Sequence, residues 1–154
     1  MTQEHQTPYI GVHLMLIKDG QLLLEQRKGG ALDGYYLPVS GHVDKGEGLI
    51  DAMCREAKEE ANIVLDQKDL KISVVAHLLD APYKFHTSDI INFFIFTDKY
   101  AGEIKNMEPD KTASLAFYDL DNLPDALLAH IKEVIKAYKN GENFIVWADE
   151  KRVA

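Results

Sequence analysis

A chain of 154 residues, 46% hydrophobic and 27% charged, has the length for one domain with a sizeable core and is too short for two ordinary ones. Its formal net charge of −8 repels nucleic-acid backbones and anionic membranes, so a phosphate-bearing ligand has to be met by local cations or by a metal. Cys54 is the sole cysteine, which excludes an internal disulfide and fits a reducing compartment.

Residues 1–10, MTQEHQTPYI, lack the basic-then-apolar order of a secretory leader, and apolar runs such as FFIF are far below spanning length. A cytoplasmic location is expected. Residues 1–8 read as a flexible N-terminal arm and 9–154 as a single domain. Two apolar runs, YIGVHLMLIK and QLLLEQR, flank Asp19-Gly20, a hairpin signal. The glycine-rich stretch KGGALDGYYLPVSG reads as a loop with one short extended piece at 35–39. Leu49, Ile50, Met53 and Ala57 recur at helical spacing and predict an amphipathic helix over 48–61. LKISVVAHLL, DIINFFIFTDKY and SLAFYDL carry the β-branched and aromatic residues of strands. A last helix is predicted from Pro124 to Gly141. Strands interrupted by two helices, without steady alternation, imply an α/β fold with a mixed sheet between helices.

The first helix carries the chemistry. Glu56 lies three and four residues before Glu59 and Glu60, so the three carboxylates project from one stripe. Like charges at these spacings, near a helix C-terminus, oppose the helix. Arg55 can bridge to Glu59, which leaves Glu56 and Glu60 uncompensated. The plain alternative is a solvated charged face; a divalent cation is the other, since hard Mg²⁺ prefers carboxylate oxygens and shares its shell with water and phosphate.

The wider spacing favours the cation. Gly41, Glu47, Arg55, Glu56, Glu59, Glu60 and Ile63 fall in register with a pattern of Gly, five residues, Glu, seven residues, Arg-Glu, two residues, Glu-Glu, two residues and an aliphatic. In this 23-position pattern the chain resembles the Nudix hydrolase family of MutT-like nucleotide pyrophosphohydrolases, with Ala57 at an aliphatic place and Asn62 where the family has a second glycine. Asparagine is the usual second choice for a left-handed residue after a helix, so the site is expected to survive that change. DGYYLPVSGHVDKGE looks like the family's approach loop, and GEIKNMEPDKTASLAFYDLDNLP like a later stretch of one bacterial subgroup.

The resemblance implies a Nudix-type α/β/α sandwich and Mg²⁺-dependent hydrolysis, with Mn²⁺ as a substitute, of a nucleoside diphosphate linked to a group X. The leading substrate is a nucleoside triphosphate, oxidised ones included, cleaved to NMP and pyrophosphate by water attack at phosphorus. The alternatives are a nucleotide sugar, a dinucleotide polyphosphate, or a non-catalytic nucleotide-binding regulator on the same scaffold. The resemblance assigns Glu56 and Glu60 to the metal, with Glu59 a third ligand or the base, and the carbonyl of Ser40 a further ligand. Arg55 is expected to orient a glutamate, and Glu47 to serve the helix start and loop. Glu108 is the foremost late-loop carboxylate, ahead of Glu103 and Asp110. Arg27 and Lys28 end the second strand beside the glycine-rich loop, where they read either as phosphate-facing cations or as a solvated strand end. Phe117 and Tyr118, ahead of Tyr35 and Tyr36, are candidates to stack on the base. His13, His77 and His86 lack metal-ligand spacing and read as satisfied strand or loop histidines. The expected partners are a small-molecule nucleotide and, as an option, a second copy in a homodimer; neither a nucleic-acid polymer nor a membrane is expected.

Overall fold

The computed structural model describes residues 5, 7–80 and 88–148. His86 and residues 1–4 and 6 of the expected arm lie outside the described residues. Strands β1 (Tyr9–Lys18) and β2 (Gln21–Arg27) form the expected hairpin. Asp19 and Gly20 take φ of 52° and 76°, the left-handed pair that a two-residue hairpin turn demands.

The hairpin opens after two pairs, Ile17↔Leu22 and Lys18↔Gln21. Beyond that point β1 pairs in parallel with β6 (Ile90–Thr97) along one edge. Its other edge takes the short β4 (Ser40–His42) antiparallel, so Ser40 lies opposite His13 and Gly41 opposite Val12. β2 instead pairs with β7 (Thr112–Asp119) and, at Glu25 and Gln26, with β3 (Tyr36–Leu37). The loop predicted to hold one extended piece therefore holds two. Outside β6 the sheet continues with antiparallel β5 (Lys71–Leu78) and then parallel β8 (Phe144–Trp147).

The period-two alternation of the strands divides the core between two helices. Val12, Leu14, Leu16 and Leu23 pack with Met53, Ala57 and Ala61 of α1 (Leu49–Ala61). Met15, Ile17, Leu22 and Leu24 pack on the opposite face with Ile131, Val134 and Ile135 of α2 (Ala129–Lys139). A mixed sheet between helices is the fold expected.

Two elements differ from the sequence reading. α2 starts at Ala129, not Pro124: Tyr36 donates its N–H to the Ala126 carbonyl and its own carbonyl accepts from Leu128, which holds 126–128 extended beside β3. β8 was not predicted, although FIVW alternates as an edge strand does: Phe144 and Val146 are exposed while Ile145 and Trp147 pack on the core.

Candidate active site

α1 begins after extended Gly48 and ends at Asn62, whose φ of 56° and ψ of 26° are left-handed as expected. Asn62 does more than end the helix. Its side chain accepts from Lys58 Nζ at 2.7 Å and donates to the Glu103 carbonyl at 3.0 Å. The N–H groups of Lys105 and Met107 donate to the Ala61 and Glu60 carbonyls, so the loop before β7 is fastened to the carboxylate end of the helix.

Arg55 is the hub of the outer charges. Its Nε and Nη2 bind Glu47 at 2.8 and 2.9 Å, its Nη1 binds Glu56 at 2.7 Å and Glu59 at 3.4 Å, and Nη2 also donates to the His42 carbonyl. Glu47 accepts a further bond from the Asp44 N–H. These bonds, Arg55 first, hold the Glu47 carboxyl well below the usual range, at about 2, and raise the basicity of the guanidinium. The predicted Arg55–Glu59 bridge is therefore present but is the longest of these hydrogen bonds, and Glu59 stays 58% exposed.

Glu56 is thus compensated, contrary to expectation, and Glu60 carries the imbalance. Glu60 accepts one bond from the Ser40 N–H at 3.3 Å and has no ion-pair partner among the described residues. Burial, then the charges of Glu25 and Glu56, push its pKa up to about 8. Burial likewise raises Glu56, against the pull of Arg55. The α1 carboxylates do not share one environment.

Gly41 explains how Glu56 fits. A Cβ at Gly41 would overlap the Glu56 carboxyl, so only glycine on β4 lets this side chain lie against the strand.

Glu25 went unnoticed in the sequence. It shares the face of Leu23, toward α1, is 2% exposed, and is bound by Arg27 Nη1 at 3.1 Å and Thr112 Oγ1 at 3.4 Å. Burial raises its pKa despite Arg27. The available signal was an acid closing the apolar run QLLLEQR. Glu108, held by Lys111 Nζ at 2.9 Å, adds its charge to Glu25, Glu56 and Glu60.

A cleft of about 490 Å³ opens beside these groups. Arg27, Ser40, Gly41, Glu56 and Glu60 line it, as do His13, Asn92, His130 and Leu128. Lys28 points elsewhere, donating to the Pro109 carbonyl. Phe117 packs in the core under α1 and Tyr118 makes an edge contact with Tyr36, ring centroids 5.5 Å apart; none of these three lines the cleft. His77 pairs with Asp89 at 2.7 Å, away from the cleft. Glu103 meets the site through its carbonyl, and Asp110 is exposed.

Among the described residues no three His, Cys, Asp or Glu side chains already converge as a metal-binding group. The donor chemistry nevertheless fits a hard divalent cation: Glu56 and Glu60 supply carboxylate oxygens, burial first and neighbouring acids second raise both pKa values, and a bound cation would relieve that repulsion.

The NUDIX domain family model matches residues 7–138. The chain therefore belongs to the Nudix family of hydrolases, and is a nucleotide pyrophosphohydrolase. It is 29% identical over 136 residues to an ADP-ribose pyrophosphatase of Methanocaldococcus jannaschii, covering 88% of this chain and 76% of that protein. It is 32% identical over 107 residues to the NAD-capped RNA hydrolase NudC of Photorhabdus laumondii, covering 70% of this chain and 37% of that one. The crystal structure of a MutT NUDIX hydrolase from Burkholderia pseudomallei is similar at TM-score 0.76 and 27% identity, covering 85% of this chain and 98% of that one. No helix among the described residues is long and apolar enough to cross a membrane.

Proposed function

We propose that the cleft hydrolyses the pyrophosphate bond of a nucleoside diphosphate linked to X, with Mg²⁺ or Mn²⁺ held by Glu56, Glu60 and the Ser40 carbonyl. The observation that carries this reading is Glu60, a half-buried acid with like charges around it and one N–H for company. A divalent cation there supplies neutralisation of the phosphate oxygens and acidification of water.

The protein's own part is positioning. Glu47 fixes Arg55, Arg55 fixes Glu56, and the Ser40 N–H fixes one Glu60 oxygen, so the facing oxygens are set before substrate arrives. Arg27, anchored on buried Glu25, is the cation that faces phosphate. For the proton of the attacking water, Glu108 is preferred over Glu59. Its charge bears on both Glu56 and Glu60.

For X, the ADP-ribose pyrophosphatase relative favours a sugar, split to a nucleoside monophosphate and a sugar phosphate. The triphosphate reading stands beside it on the sequence resemblance. A Mg²⁺-dependent screen across nucleotide sugars, NTPs, oxidised dNTPs and dinucleotide polyphosphates, with products identified, tests both. Sugar phosphate as product supports the first, pyrophosphate the second, and no hydrolysis of any substrate overturns the site assignment.

A further inference from the structure

The sheet is apolar on both faces further out than its helices reach. Parallel pairing, present between β1 and β6 and between β5 and β8, belongs to sheets covered on both sides, whose strands read as nearly continuous apolar runs. IINFFIFT of β6 and FIVW of β8 are runs of that kind. One face is covered out to the edge: Ile145 and Trp147 of β8 share a cluster with Ile131 and Val134 of α2.

The other face is covered only in part. α1 packs on β1 and β4, and among the described residues no helix continues over β5 and β8. The pairing registers lay out what stands there. One row crosses four strands as Ile10, Ile91, His77 and Val146, the next as Val12, Phe93, Val75 and Phe144, and a third passes from Leu14 through Ile95 to Ile72. Val12 and Leu14 are buried in the α1 cluster, whereas Ile10, Ile72, Phe144 and Val146 are 42%, 48%, 54% and 55% exposed. Val75, Ile91 and Phe93 between them are half-buried. His77 is the sole polar side chain in the three rows, and its ring is paired with Asp89 at 2.7 Å.

Size, charge and shape define the occupant. These seven apolar side chains present on the order of 500 Å². The apolar share of a homodimer interface, roughly 65% of about 800 Å² per partner, is of that size. Two copies of a chain with net charge −8 repel one another, so a contact between them has to lie where charge is absent, as it is in these rows. A different protein is ordinarily selected by complementary charge, which this face does not offer. Sheets stack about 10 Å apart, close to the thickness of a helix layer, so a second outer half-sheet fits beside α1 in the same layer.

We propose that this outer half-face, centred on Val75, Phe144 and Val146, packs across a two-fold axis against the same face of a second copy. The interface is separate from the hydrolytic cleft and is tested without substrate, so its failure leaves the pyrophosphohydrolase reading in place.

Light scattering on the gel-filtered full chain and sedimentation equilibrium measure the mass. Wild type should show twice the 17.4 kDa of one chain from micromolar concentration upward, and should keep it in about 1 M salt, where charge reaches only about 3 Å. Val146→Lys and Phe144→Lys should each give a single chain's mass with an unchanged circular dichroism spectrum. Each adds a positive charge to an acidic chain, so electrostatics alone would favour association and cannot account for the loss. Val146→Ile should remain a dimer. A single chain's mass for wild type at every concentration, dissociation by salt, or a doubled mass that survives both lysine variants overturns the proposal. If the lysine variants unfold, Phe144→Ala combined with Val146→Ala decides: the dimer dissociation constant should rise at least about tenfold, and an unchanged constant overturns the interface.

Discussion

Among the groups that line or back the cleft, Glu56 and Glu60, with Glu25 behind them, crowd three acids around a single partner cation for each of two, and none for the third. His13 and His130, which line the same cleft, are uncharged at neutral pH, since burial lowers both, to about 4 and about 3. Burial acts on acids and histidines in the same sense, against the charged form. The outcomes differ because neutral imidazole is stable in a dry site, whereas neighbouring carboxylates want a cation. The carboxylates are left to be completed by charge, and the histidines are not.

The largest expected effect breaks the acidic group. Glu60→Gln should lower Mg²⁺-dependent turnover by about 10²–10⁴-fold, the several kcal/mol of transition-state stabilisation attributed to a bound cation. The same variant should change stability with the opposite sign. Folded Glu60 keeps its proton to about pH 8, whereas an ordinary glutamate releases it near 4.5, so its stabilising contribution is present below 4.5 and lost as pH rises through 8. In EDTA, wild type should therefore lose thermal stability relative to Glu60→Gln across that window, and Mg²⁺ should narrow the gap. A pH series of melting temperatures reads both.

Arg55→Ala removes the hub without touching Glu60 and should cost about 10–100-fold in turnover, as loss of a ligand-orienting partner does. Steady-state kinetics measures it, and circular dichroism checks that α1 remains. Gly41→Ala forces Glu56 off the strand and should cost about 1–3 kcal/mol in a urea melt, with lowered turnover. Asn62→Gly should have the smallest effect, within about 1 kcal/mol. Glycine takes the left-handed cap more easily but gives up the bonds to Lys58 and Glu103.

Much of the fold could be read locally. The Asp19-Gly20 turn, the α1 stripe and Asn62 each follow from backbone preference and period. What was hidden depended on distant partners. Residues 124–128 look like a helix start until Tyr36 captures them, and Glu25 looks like an ordinary strand end until the β2 register turns it toward Glu60. The charge on the helix was likewise legible as a total but not in its division: that Arg55 neutralises Glu56 and leaves Glu60 depends on rotamers and on β4, neither written in the helix itself. From the sequence His13 is a satisfied strand histidine, whereas its buried Nδ1 has no hydrogen-bond partner, a matter of packing that strand period does not show.

The most direct test titrates Mg²⁺ against hydrolysis of ADP-ribose and of a nucleoside triphosphate, by wild type and Glu60→Gln side by side. Turnover that rises with Mg²⁺ in wild type and stays at least about 10²-fold lower in the variant is the predicted result. Equal turnover of the two proteins at every Mg²⁺ concentration would contradict the assignment of Glu60 as the acid that the metal completes.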